Sequence, residues 1–165
     1  MRAWLRRGIE KAAFRAAGRT GATMKKLIYV LVAVVALAVA FVGWRMTMSP
    51  PDDLDLARSK PTEAGTFVVA VAPESEPLRQ GPLHNWIVTV TTPAGAPVDD
   101  ATIGVDGGMP QHGHGLPTAP AVTAALGEGR YRIEGVRFNM GGWWELKLAV
   151  TAGGASDAVT FNLVL

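Results

Sequence analysis

The stretch WWELKLAVT, residues 143–151, alternates along its length: Trp144, Leu146, Leu148 and Val150 form one apolar set, and Trp143, Glu145, Lys147 and Ala149 fall between them. Successive side chains of a strand point to opposite faces, so this period of two predicts a strand with one face on a core and the other in water. LHNWIVTVTT (83–92) behaves alike, with His84, Trp86, Val88 and Val90 as its core-facing set. Outward from these two lie TFVVAVA (66–72), ATIGVDG (101–107), RYRIEGV (130–136) and DAVTFNLVL (157–165), and a further short run near Val122 makes seven. Pro and Gly punctuate them: TTPAGAPVDDA (91–101) reads as the loop from the second strand to the third, and Gly153-Gly154 separates the last two. The expected fold is all-β, an immunoglobulin-like β-sandwich of about seven strands over residues 65–165.

The first quarter of the chain is of another kind. LIYVLVAVVALAVAFVGW (27–44) is 18 residues without a charge, close to the ~20 a helix needs to cross a bilayer. Residues 1–26 carry eight Lys and Arg against the single acid Glu10, whereas Asp52, Asp53 and Asp55 follow the apolar run. The positive-inside rule then predicts a cytoplasmic basic segment (1–26), a transmembrane anchor or signal peptide (27–44), and a C-terminal domain on the periplasmic side of a bacterial inner membrane. Met24-Lys25-Lys26 has the form of a signal-peptide start, which would make residues 1–23 an extension from a misassigned start codon. Ala38-Val39-Ala40 has the form of a cleavage site, and the alternative to an anchored protein is one released after cleavage near Ala40. Residues 45–64, RMTMSPPDDLDLARSKPTEA, are polar, hold three prolines and read as a tether.

Composition removes several classes of function. From Arg45 onward eight basic residues face thirteen acidic ones. A nucleic-acid binder concentrates Lys and Arg on its folded part, so nucleic acid is not an expected partner. The chain has no cysteine, which excludes disulfides, thiolate metal sites and a thiol nucleophile. Neither G-x-S-x-G nor a P-loop is present, and Glu128, Glu134 and Glu145 lie on separate strands or turns; an enzyme is not expected.

One segment has the residues for chemistry. GGMPQHGHGLPT (107–118) holds two of the three histidines and four glycines. His-x-His in an extended stretch puts His112 and His114 on one side, Met109 adds a thioether, and Met140 lies in a second Gly-rich turn, FNMGG (138–142). Imidazole with thioether and no thiolate suits copper, thioether favouring Cu(I). The same four residues also admit a structural reading, the imidazoles bonding an irregular backbone and the thioethers filling the core. His84, alone in a strand beside Trp86, reads as a packed histidine, and Met46-x-Met48 in the tether as a secondary copper contact or nothing.

The motif M-P-x-H-x-H-G (109–115), followed by Pro-Thr-x-Pro (117–120), G-x-G-x-Y (127–131) and F-x-M-x-G-x-W-E-L (138–146), resembles the FixH-like and YtkA-like family of bacterial envelope domains across roughly residues 65–165. The resemblance implies an immunoglobulin-like sandwich outside the cytoplasmic membrane and, from FixH-type members, a role in assembling a copper-containing respiratory oxidase. Carried over by position, the motif falls on Met109, His112, His114 and Met140. Three expectations follow: a membrane-anchored accessory domain binding copper in support of respiratory oxidase or other metalloprotein assembly; a metal-free interaction module docking a membrane complex through the Gly-rich loop and a sheet edge; and, since some relatives carry an auxin-binding label, a small-ligand site near Trp143, Trp144 and Tyr131.

Overall fold

A computed structural model describes residues 24–44 and 49–165. The start-site reading of residues 1–23, most of the basic segment, and Met46 and Met48 lie outside the described residues.

Helix α1 (Met24–Trp44) takes in the whole uncharged run and is long and apolar enough to cross a membrane. Its 21 residues, at ~1.5 Å each, extend about 31 Å against a hydrocarbon core of ~30 Å. An anchor and a signal sequence share this character.

The C-terminal unit is a sandwich-like fold of nine strands in two antiparallel sheets. Its strands are β1 (Ser59–Pro61), β2 (Val68–Pro73), β3 (Leu83–Thr91), β4 (Thr102–Met109), β5 (His114–Gly115), β6 (Ala121–Gly127), β7 (Arg130–Arg137), β8 (Trp143–Ala152) and β9 (Ala155–Val164). One sheet runs β1-β2-β3-β7-β6 and the other β5-β4-β8-β9. All seven expected strands form. In β3, His84, Trp86, Val88 and Val90 are buried as the alternation requires, and in β8 so are Trp144, Leu146, Leu148 and Val150. The inner faces of both sheets meet in one apolar cluster, in which Trp86, Trp144, Phe138 and Phe161 are the largest fully buried side chains. The 91–101 segment does carry the chain from one sheet to the other, and Tyr131 secures it: the phenol donates to the Val98 carbonyl at 2.6 Å and accepts from the Ala101 amide at 2.8 Å.

Two short strands were not expected. β5 lies in the Gly-rich segment, and β1 lies inside the stretch read as a tether, pairing Ser59–Pro61 with Val68–Ala70. Runs of two and three residues are too short to show a period, and Pro61 disguises β1 further.

The segment around β1 is fastened to the last strand through Asp157. Its carboxylate accepts from the Thr62 hydroxyl at 2.6 Å and from the amides of Ala64, Thr66 and Ala158. The Thr62 hydrogen bond, with the backbone amides behind it, holds the Asp157 carboxyl well below the usual carboxylate range. A depressed folded-state pKa contributes stability above the unfolded value of ~4 and loses it as pH falls. Asp157→Asn is therefore expected to lower the urea midpoint at pH 7 and to lower it by a smaller but still substantial amount at pH 3, where the folded-state carboxylate is still ionised and only the unfolded-state one is protonated. An equal loss at both pH values would show that the charge plays no part.

Candidate metal centre

β4 and β5 form a hairpin whose turn, residues 110–113, carries His112 and leads into His114. The Met109 carbonyl accepts from the amides of His112 (3.1 Å) and Gly113 (2.9 Å), and Gly113 takes φ +68°, a left-handed conformation that glycine adopts without strain. β5 approaches β4 so closely that a Cβ on Gly108 would stand 2.4 Å from the His114 carbonyl oxygen. The Gln111 amide reaches across to donate to the Ser49 carbonyl at 2.8 Å, tying the turn to the first residues of the sandwich unit.

The two imidazoles come together as their spacing suggested, though around a tight turn instead of along an extended chain. Their centroids are 5.9 Å apart and the rings 27° from parallel. His112 is half-buried and His114 exposed. His114 Nδ1 stands 3.3 Å from the Gly115 carbonyl oxygen. With the proton on Nδ1, that contact leaves the Nε2 lone pair for a ligand, as in metal sites where the second ring nitrogen donates to a carbonyl.

The methionines part company. Met140, in the β7–β8 turn, is 38% exposed. Met109 is 1% exposed, because the alternation of β4 turns it inward, and its methyl carbon is 3.3 Å from where a Cβ on Gly142 would stand. It is part of the core beneath the hairpin, and it also borders the cleft that opens beside His114.

Beneath the two arms of the site lies Trp144, which sequence reading counted as core and as part of a small-ligand site but not as a link between the two turns. Its ring meets His114 edge-on, centroids 6.0 Å apart at 66°, and its indole N–H donates to the Met140 carbonyl at 3.0 Å. Phe138 packs edge-on against the same ring at 5.3 Å. The signal available in the sequence was an N–H donor at an inward position two residues after a Gly-rich turn, since a buried indole N–H needs a partner.

Beside His114 opens a cleft of about 280 Å³, bordered by Asp106, Gly108, Pro110, Glu145 and Lys147. Glu145 and Lys147 pair at 3.0 Å, and Asp106 accepts from the Gly107 amide at 2.7 Å. Among the described residues, no group of three or more His, Cys, Asp or Glu is placed to hold a metal ion. His84 is buried apart from the site, its Nε2 2.9 Å from the Arg79 carbonyl oxygen and its ring 5.7 Å from Phe138. Of the aromatic residues suggested for a small ligand, Tyr131 and Trp144 are 3% and 0% exposed, and the half-buried Trp143 has its indole N–H engaged by Asn162 at 3.0 Å.

Comparison with known proteins gives one family. The model of the YtkA-like family matches residues 62–149, more than half of the chain. No curated protein matches. Among solved structures, a DUF4426 family protein from Pseudomonas aeruginosa PAO1 is similar at 14% identity and a TM-score of 0.48, over 66% of this chain and 94% of that one.

Proposed function

The chain belongs to the YtkA-like family, and from that premise we propose that it is an envelope accessory domain that binds Cu(I) through His112, His114 and Met140 and serves the assembly of a copper-containing membrane complex such as a respiratory oxidase. The family and the N-terminal apolar helix fit a membrane-anchored or periplasmic accessory domain. In this reading the basic N-terminus stays in the cytoplasm and the sandwich faces the periplasm.

The observation that carries the copper reading is the stacked pair of imidazoles on a hairpin turn, with the Nδ1 side of His114 turned to a carbonyl. Two neutral imidazoles and a thioether form a soft, uncharged donor set that prefers Cu(I) to hard divalent ions. In this reading Met109, buried under the hairpin, serves as packing. With no oxidisable thiol in the chain, such a site takes up and releases copper without disulfide chemistry.

The test is a Cu(I) competition titration of the full chain in detergent against a chromophoric chelator, beside the His112→Ala/His114→Ala double variant. Tight one-to-one binding that falls at least a hundredfold in the variant is expected. Absence of binding by the wild-type protein, under conditions where a control copper protein binds, rejects the metal and leaves the hairpin as a docking element.

A further inference from the structure

We propose that Trp144 is the positioning residue of this centre, holding Met140 through its indole N–H and His114 through its ring edge so that donors from two distant turns meet; the inference rests on the Cu(I) reading above.

The need for such a residue follows from the topology. His112 and His114 sit on the β4–β5 hairpin, at one edge of their sheet, whereas Met140 sits on the turn that leads from β7 in the other sheet into β8. Neither turn is part of a long ladder: β5 is two residues, and residues 138–142 hold Gly141 and Gly142, the latter at φ +113°. Turns of this kind lose side-chain order unless something fixed holds them.

Trp144 is fixed. It is 0% exposed, lies in a strand paired on both sides, faces Leu163 across the β8–β9 ladder, and has Phe138 against its ring. From that position it holds one arm by a directional bond, the 3.0 Å hydrogen bond to the Met140 carbonyl, and the other by the 6.0 Å edge contact with His114. A leucine or phenylalanine there would fill the same core without the bond to the Met140 turn. The choice of tryptophan at a wholly buried position is explained by the carbonyl its N–H finds.

Removing an outer partner that orients a metal ligand lowers affinity by about 10–100-fold. Trp144→Phe, which keeps a ring but deletes the donor, is therefore expected to weaken Cu(I) binding of the full chain by at least tenfold. In a Met140→Ala background, where the positioned donor is already gone, the same substitution is expected to cost less than twofold. Loss of core packing alone would weaken binding by the same factor in both backgrounds, and that result would overturn the inference. So would a Trp144→Phe protein that binds as the wild type does. A second measurement avoids the variant: in the wild-type chain with ¹⁵N-labelled tryptophan, the Trp144 indole resonance is expected to move with one equivalent of Cu(I), and a resonance unmoved at saturation rejects the inference. Failure of the wild-type chain to bind Cu(I) removes the centre itself; binding unchanged by Trp144→Phe removes only the positioning role.

Discussion

Alanine at Gly107 lowers the stability of the sandwich by about 3 kcal/mol or more, at or beyond the upper end of the usual cost of overpacking. Gly107 pairs with Leu146 near the hairpin end of the β4–β8 ladder, and a Cβ there would stand 2.3 Å from the Glu145 carbonyl oxygen and 3.3 Å from Leu116 Cδ1. The nearer obstacle is backbone, which cannot rotate away as a side-chain tip can. Relief requires moving β8 off β4, or turning β4 so that Met109 and the hairpin beyond it shift as well. Gly104 lies on the same strand and provides the control. A Cβ at that position meets Ala149 Cβ at 3.7 Å, an ordinary contact, so Gly104→Ala is expected to be near neutral. Urea unfolding of the full chain in detergent, followed by far-UV circular dichroism, compares the two. Equal midpoints would mean that the β4–β8 approach yields easily and that Gly107 has no steric role.

Met109→Ala is the second large effect, a loss of about 2–5 kcal/mol for truncating a buried methionine. Met109 is among the largest fully buried side chains, and its methyl carbon supports the Gly142 turn. Met109→Leu conserves volume and is expected to cost less than about 1.5 kcal/mol. That variant also separates the two roles a methionine can have at this position. A packing residue tolerates the loss of sulfur, so Cu(I) affinity in Met109→Leu is expected to match the wild type. A large drop in affinity with stability retained would instead return the Met109 thioether to the ligand set.

The fold was legible because its long strands each have one wet face. Trp86, Val88 and Val90, or Leu146, Leu148 and Val150, declare their side of the sheet by alternation alone. β1 and β5 were hidden because they are held by tertiary approach, β5 by the absence of a Cβ on Gly108 and β1 by the ties around Thr62. At the candidate centre, the H-x-H spacing was enough to put two rings side by side, since only one residue separates them. The methionines could not be sorted the same way. Whether Met109 faced the core depended on how far β4 extends before it turns, and the chain continues its alternation to Met109 itself. Trp144 was visible as core, but the partner of its N–H is a backbone carbonyl in another turn, and no side-chain motif encodes a carbonyl.

The fastening of β1 has a mechanical consequence. Tension applied from the N-terminal side of the sandwich would meet its ties in series: the Gln111 bond to Ser49, the Asn162 bond to Asp55, the Arg58 guanidinium over the Trp86 ring and the Arg58 carbonyl bonded by the Val71 amide, then three residues of β1. These peel one at a time, as a zipper does. The next grip is different, because the Asp157 carboxylate holds Thr62, Ala64 and Thr66 together, and those donors must release almost at once. A pull that freed residues 49–61 and was held at Asp157 would release about 40 Å of chain at ~3.4 Å per residue without parting the pairs of β2 to β9.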